Sequence, residues 1–396
     1  MNVGRALRHR NYRLFFVGQG TSLVGTWITR VATSWLVYRL TGSAWLLGIV
    51  GFAGQIPTFV IAPFAGVAVD RWNRHRVLVW TQIFSMLQSG ALAYFALRGT
   101  ITVWHVIVLV AIQGLINAFD TPARQAFVVE MVDKREDLPN AIALNSTLVN
   151  LARLIGPSIA GILIAAFGEG YCFAIDAVSY AAVIASLLMM NVVLKPRRVP
   201  RHALVELREG FRYAASHVPI RSALMLLAFV SLVGAPYIVL MPIFAKEVLH
   251  GGAHTLGVLT GATGVGAIAG ALWLASRRDS SNLERVITLA GTTFGLGLVA
   301  FSRSGTLALS LAVLVAVGAG MMITMAAVNT RIQTLVEEDK RGRVMSFFTM
   351  AFFGMAPFGA LAAGALAAKI GAPTTVTWGG IATLLAVVLF SIVRRE

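Results

Sequence analysis

Of the 17 acidic residues in this chain, only Asp120 and Asp176 stand well inside long apolar runs. The basic residues in comparable positions are Arg30 and Arg153, with Arg124 near the end of the run that holds Asp120. A charge at the centre of a membrane-spanning helix costs roughly 2.5–3.5 kcal/mol on insertion scales, so each of these side chains needs a reason to be there. The chemistry open to them is proton transfer. A carboxylate whose surroundings alternate between wet and dry, or gain and lose an arginine, takes up and releases a proton. Asp120 is the first choice for that role. Asp176 lies about a turn from one end of its run, where a structural pair with an arginine suits it as well as coupling does. Arg30 and Arg153 read as charge partners rather than ligands. All five residues lie in the first half of the chain, and none of the seven histidines falls in the interior of a run.

Other chemistries lack their residues. The single cysteine, Cys172, excludes an intramolecular disulfide, and no Cys/His cluster has metal-ligand spacing, so no metal or cofactor is expected. No phosphate-binding loop, HExxH or GxSxG occurs, which argues against ATP hydrolysis and the common hydrolases. Gly264, Gly266 and Gly270 imitate a dinucleotide motif, but no strand precedes them and their run is apolar, so they read as a packing face. Asn145-Ser146-Thr147 has the form of a glycosylation sequon but lies within a run. The chain is not expected to be an enzyme.

The elements that must position these charges follow from composition. The 396 residues are 57% hydrophobic and 13% charged, with mean hydropathy +0.77. A soluble domain carries about 25% charged residues, so a water-soluble fold and a disordered chain are both excluded. Runs long enough to cross the hydrocarbon core as helices occur at about 12–38, 44–69, 77–97, 102–128, 140–167 and 171–194. A second set follows at about 220–245, 255–276, 285–302, 305–330, 343–369 and 373–393. The first run is too long for a signal-peptide core and is expected to stay as a span. With the N-terminus inside, the connecting segments place 26 Lys and Arg on the inner side and 5 on the outer, and Arg30 and Arg153 remain within spans. This asymmetry supports twelve spans with both termini cytoplasmic in an inner-membrane protein. It also explains the net charge of +16 without a nucleic-acid partner. The expected organisation is a six-helix bundle over 1–194, a cytoplasmic amphipathic linker over 195–219 and a second six-helix bundle over 220–396. In the linker, Leu204, Leu207, Phe211 and Ala215 recur at helical spacing. The halves repeat: Met131–Arg135 ahead of Pro157 matches Leu335–Arg341 ahead of Pro357.

Several motifs resemble those of the major facilitator superfamily. Gly66-Val-Ala-Val-Asp70-Arg71-Trp-Asn73-Arg74-His75-Arg76, between runs two and three, is similar to the signature loop of that family. The resemblance implies a cytoplasmic gate made by Gly66, Asp70, Arg71, Arg74 and Arg76, with Gly66 admitting a close helix and Asp70 meeting Arg74 or the start of the eleventh helix. Asn73 stands where the family has glycine and also tolerates a left-handed backbone. In the fifth run, Ala152-Arg153-Leu-Ile-Gly156-Pro157-Ser-Ile-Ala160-Gly161 resembles the antiporter motif, with Gly156, Pro157 and Gly161 as its core. Val110 replaces the arginine usual in the fourth span. Asp120-Thr-Pro122-Ala123-Arg124, Leu138-Pro-Asn140-Ala141 and Leu207-Arg208-Glu209-Gly210-Phe211 resemble the enterobactin-exporter and macrolide-efflux branch of drug–proton antiporters.

The resemblance implies an all-α fold of two pseudo-symmetric six-helix bundles with the substrate site between halves. It implies secondary active export of an amphipathic small molecule (a siderophore, an antibiotic or a related metabolite) by alternating access and proton antiport, in a monomer surrounded by membrane lipid. Trp27, Gln113, Asn117, Tyr237, Met321, Met325 and Asn329 are expected to line the cavity, methionine because it reshapes to varied ligands. A lysophospholipid flippase and a non-transporting membrane sensor or scaffold are the rival readings; buried charges argue against the last.

Overall fold

The computed structural model describes residues 4–393, apart from 133, 191–210, 278–281 and 339, together with all but four of their side chains, those of 63, 67, 70 and 135. Twelve long helices follow one another among the described residues. The first six are α1 (Arg10–Thr41), α2 (Ala44–Arg71), α3 (Arg74–Leu97), α4 (Val103–Phe127), α5 (Leu138–Phe167) and α6 (Glu169–Leu188). The second six are α7 (Val218–Val248), α8 (Ala253–Ser276), α9 (Leu283–Ser302), α10 (Leu307–Leu335), α11 (Arg341–Ile370) and α12 (Ala372–Val393). About 20 residues of helix rise 30 Å, enough to cross a bilayer core, and every one of the twelve has that length. Ten are also apolar enough to cross; α1 and α3 are the more polar two. The expected Leu204 and Leu207 face of the linker lies outside the described residues. Residues 211–216 are helical, and Phe211 meets Phe347 at 5.9 Å.

The helices form two compact units. One contains α1, most of α2, α3 to α6 and the first turn of α8; the other contains the first turns of α2, α7, the rest of α8 and α9 to α12. In the first unit α6 packs on α1 and α3, and α3 also packs on α4. In the second, α12 and α10 both pack on α9, so the third helix of each half has the same neighbours. The turn that joins the last two helices of each half also recurs. Gly168 (φ +85°) and Gly371 (φ +81°) each adopt a positive φ that a side chain would resist, and each donates its N–H four residues back, to Ile164 and Ala367.

Within the first unit, α3 is amphipathic in the sense opposite to a soluble helix. Trp80, Phe84, Leu87 and Tyr94 face outward, while Thr81, Gln82, Ser85, Gln88 and Ser89 are buried. Lipid is a good solvent for the aromatic face, and the polar face must find its hydrogen bonds inside the bundle. At the end of the unit where α1 begins, Tyr12, Phe15, Leu78, Phe127, Met131 and Leu187 close a dry core, and the Tyr12 hydroxyl donates to the Ala141 carbonyl at 2.7 Å. In the second unit α7 and α11 are interrupted by wide π-turns at Val230–Gly234, Phe244–Val248 and Met350–Gly354. The Ser231 hydroxyl donates to the Phe352 carbonyl and so ties two of these turns together.

Candidate functional site: a buried polar seam

The inward face of α3 meets a matching face of α4, where Gln113, Asn117, Asp120 and Arg124 recur at helical spacing. Asp120 Oδ1 accepts hydrogen bonds from Thr81 Oγ1 at 3.0 Å and Gln82 Nε2 at 2.7 Å, and its Oδ2 is 3.0 Å from Arg124 Nη2. Gln113 donates to Ser85 at 3.1 Å and to Asn117 at 3.2 Å. Further along α3, Ser89 donates to Gln88 at 3.2 Å and to Asp176 Oδ2 at 2.8 Å. Tyr180, one turn beyond Asp176 on α6, is buried beside this face, and its hydroxyl is 3.5 Å from Thr26. The result is a continuous polar seam through the first unit.

The two acids are held differently. Asp120 is saturated by two neutral donors and an arginine one turn away. Asp176 is only 1% exposed, its Oδ1 has no hydrogen-bond partner, and no cation pairs with it among the described residues. The Thr29 hydroxyl beside it is also unsatisfied. Burial of an oxygen without a partner costs about 1–3 kcal/mol, more when the group is charged. Gly25 allows this approach, since a Cβ there would lie 2.7 Å from Asp176 Oδ1.

Arg30 and Arg153 come together at one indole. Their guanidinium carbons lie 4.9 and 5.3 Å from the centre of the Trp27 ring. The antiporter-like motif makes this possible: a Cβ on Gly156 would stand 2.5 Å from Trp27 Cβ, and Gly161 packs equally closely on Ala253 and Gly257.

The loop resembling the family signature divides. Arg74 is buried and paired with Glu130 at 2.9 Å, whereas Arg71 and Arg76 are exposed. Asp70 occupies the last turn of α2, and its side chain is outside the described set. Nothing among the described residues approaches within 4 Å of a Cβ placed on Gly66, so the close helix expected there is not formed. Asn73 is not left-handed either; at φ −70° it caps α3, its side chain accepting from the Arg76 N–H at 3.2 Å. Of the expected cavity residues, Gln113 and Asn117 belong to the seam. Tyr237 is buried against Phe294 at 6.2 Å, and Met321, Met325 and Asn329 are half-buried along α10.

The sequence did not point to Thr81, Gln82, Ser89 or Tyr180, although the polar spacing along α3 was there to read. It also assigned Arg331 to a connecting segment. Arg331 is instead buried in α10, paired with Glu284 and stacked on Phe390, so buried charge is not confined to the first half. Gly270 packs its backbone on Ala319, in keeping with a packing face on α8. Cys172 is buried with a free thiol.

Comparison with known proteins agrees with this architecture. Residues 5–395 match the family described as transmembrane secretion effector, within the major facilitator superfamily. The chain is 25% identical over 389 residues to the staphyloferrin A transporter of Staphylococcus aureus, covering 97% of this chain and 96% of that protein. It is 23% identical over 300 residues to macrolide efflux protein A of Streptococcus pyogenes, covering 74% and 73%. A solved structure, a bacterial homologue of the iron transporter ferroportin in its inward-facing state, shares the fold at a TM-score of 0.72 and 18% identity, covering 97% of both chains. The chain therefore belongs to the transmembrane secretion effector family of major facilitator proteins and is a multi-pass membrane transporter of the efflux type, not an enzyme.

Proposed function

We propose that this transporter exports amphipathic small molecules, siderophores or antibiotics among them, by alternating access coupled to inward proton movement, and that Asp176 carries the proton. The observation that supports the coupling is the unequal provision for the two buried acids. Arg124, Thr81 and Gln82 compensate Asp120 from three directions, which suits a fixed charge that holds α3 against α4. Asp176 has only hydroxyl neighbours, Ser89 in hydrogen-bond geometry and Thr29 beside it, and no cation pairs with it among the described residues. A carboxyl so placed changes protonation with small changes in its surroundings, and Ser89 links it to the polar face of α3. This reverses the order that sequence position suggested for the two acids.

Around that centre, the arginine asymmetry supports cytoplasmic termini in an inner membrane, and the chain works as a monomer. The turn from α2 to α3, with Asp70, Arg71, Arg74 and Arg76, serves as the cytoplasmic gate, Arg74 being anchored by Glu130. In the second unit Met321, Met325 and Asn329 offer adaptable side chains for the substrate.

The test uses proteoliposomes with an imposed pH gradient and an internal pH dye, to which a siderophore and a macrolide are added in turn. Substrate should trigger proton movement in the wild type. Asp176→Asn should lose that flux by at least about tenfold while still binding substrate, and Asp120→Asn should lower thermal stability with residual flux. Full proton flux in Asp176→Asn removes the assignment. Labelled substrate crossing with no proton movement in the wild type removes coupling altogether and favours a uniporter or a lipid flippase.

A further inference from the structure

We infer that Arg30, Arg153 and Trp27 form a subsite for an acidic group on the transported molecule, so that the substrates include amphipathic organic anions. The inference rests on the efflux reading and names the substrate class that reading leaves open. Trp27 and Arg30 are one turn apart on α1, and Arg153 reaches the same indole from α5. The two guanidiniums repel each other in a setting where charge is already costly. Three described acids of the unit are engaged away from Arg30: Asp120 with Arg124, Glu130 with Arg74 and Glu169 with Arg39. Asp176 turns to Ser89 instead. Among the described residues no carboxylate forms an ion pair with Arg30.

Arg30 is nonetheless exposed, and a ligand can reach it. It stands eleven residues from the end of α1, about 16 Å along the axis, too deep for its side chain to extend to the headgroup layer. An exposed cation at that depth calls for an anion supplied from outside the chain. Guanidinium forks match the two oxygens of a carboxylate or phosphate, and the indole offers an apolar wall for the body of the molecule. The close approach of α5 at Gly156 fixes the spacing of the two arginines, so the pair is held by packing rather than left to loose side chains.

Equilibrium binding tests this separately from transport. The full chain in phosphatidylcholine nanodiscs is titrated calorimetrically with 2-naphthoate and with neutral 2-naphthamide, against empty discs. The wild type should bind the acid at least about tenfold more tightly than the amide. Arg30→Gln and Arg153→Gln should each reduce that preference to about threefold or less, Arg30→Lys should retain part of it, and Trp27→Ala should weaken both probes alike. Because Arg30 is exposed, Arg30→Gln remains decisive if the Arg153 variant folds poorly. Equal binding of the two probes to the wild type, or a preference that survives both glutamine variants, overturns the subsite. If phosphatidylglycerol discs weaken naphthoate binding to the wild type and not to Arg30→Gln, the site holds a lipid phosphate, and the assignment to a soluble substrate is overturned. A failed proton-flux experiment with intact anion preference would remove the coupling and leave this subsite standing.

Discussion

The third helix of each half occupies the same place among its neighbours, and the two are lined by opposite chemistry. The inward face of α3 carries Thr81, Gln82, Ser85, Gln88 and Ser89; that of α9 carries Val286, Ile287, Ala290, Gly291, Phe294, Gly295, Leu298 and Phe301. Around α9 the helices close by steric fit, with Gly291 against Val387, Gly295 against Leu384 and Gly320 against the backbone of Phe294. The fold therefore does not require a polar interior. The second half relies mainly on packing around α9, with hydrogen bonds between helices at Ser302–Thr377 and Ser231–Phe352, so the denser hydrogen-bonding face of α3 is better understood as the means of keeping Asp120 and Asp176 inside a membrane. The proposed proton site then belongs to the first half, whereas the second half is distinguished by its interrupted helices.

The largest expected effect concerns the charge pairs near the helix ends. Glu130→Ala removes the carboxylate from Arg74, whose side chain is 4% exposed, and should cost about 3–5 kcal/mol in melting experiments in detergent. Glu284→Ala strands Arg331 in the other half, whose side chain is 7% exposed, but Glu284 is itself 36% exposed and the pair is less completely shut off from water, so a smaller loss of about 1–3 kcal/mol is expected. Equal losses in the two variants would mean that the second half depends on buried charge as much as the first.

Packing should separate the halves less. Leucine at Gly156 would run into Trp27, and leucine at Gly295 into Leu384, so each variant should lose about 1–3 kcal/mol. Only Gly156→Leu should also abolish the naphthoate preference, because it forces α5, and Arg153 with it, away from Arg30 on α1. Loss of that preference in Gly295→Leu would show that the readout follows general destabilisation.

How legible all this was depended on how local each contact is. The twelve runs and the sided arginines located every helix within a few residues, including α1 and α3, which are too polar to stand out by hydropathy. The Asp120–Arg124 pair was readable from four-residue spacing, and Trp27–Arg30 from three. Arg153 over the same indole, Ser89 on Asp176 and Glu284 on Arg331 join residues 126, 87 and 47 positions apart, and no periodicity encodes such meetings. Gly66 and Asn73 went the other way. The resemblance implied a close helix at Gly66 and an Asn73 that tolerates a left-handed backbone; Asn73 instead caps α3 from φ −70°, a role local spacing could have suggested.

The smallest single change in shape gives the sharpest comparison, because the same substitution is made in both halves at fully or nearly fully buried threonines. Thr81 is 6% exposed, and its hydroxyl is shared between the Leu78 carbonyl of its own helix at 2.9 Å and Asp120 Oδ1 at 3.0 Å. Thr324 is 0% exposed and donates to the Gly320 carbonyl of its own helix at 2.7 Å. Valine has nearly the same shape, so packing changes little in either place. At Thr324 the carbonyl keeps its ordinary helical bond and loses only a supplementary one, and the change should stay within about 0.5 kcal/mol. At Thr81 a donor to a charged group disappears from a site that water does not reach, and about 1.5–3 kcal/mol should be lost. Adding Asp120→Asn should then recover part of the Thr81→Val loss, since an amide oxygen needs its donor less than a carboxylate does. If Thr81→Val and Thr324→Val proved alike, and Asp120→Asn made no difference to the first, the seam would be an accident of polar packing rather than a device for housing charge.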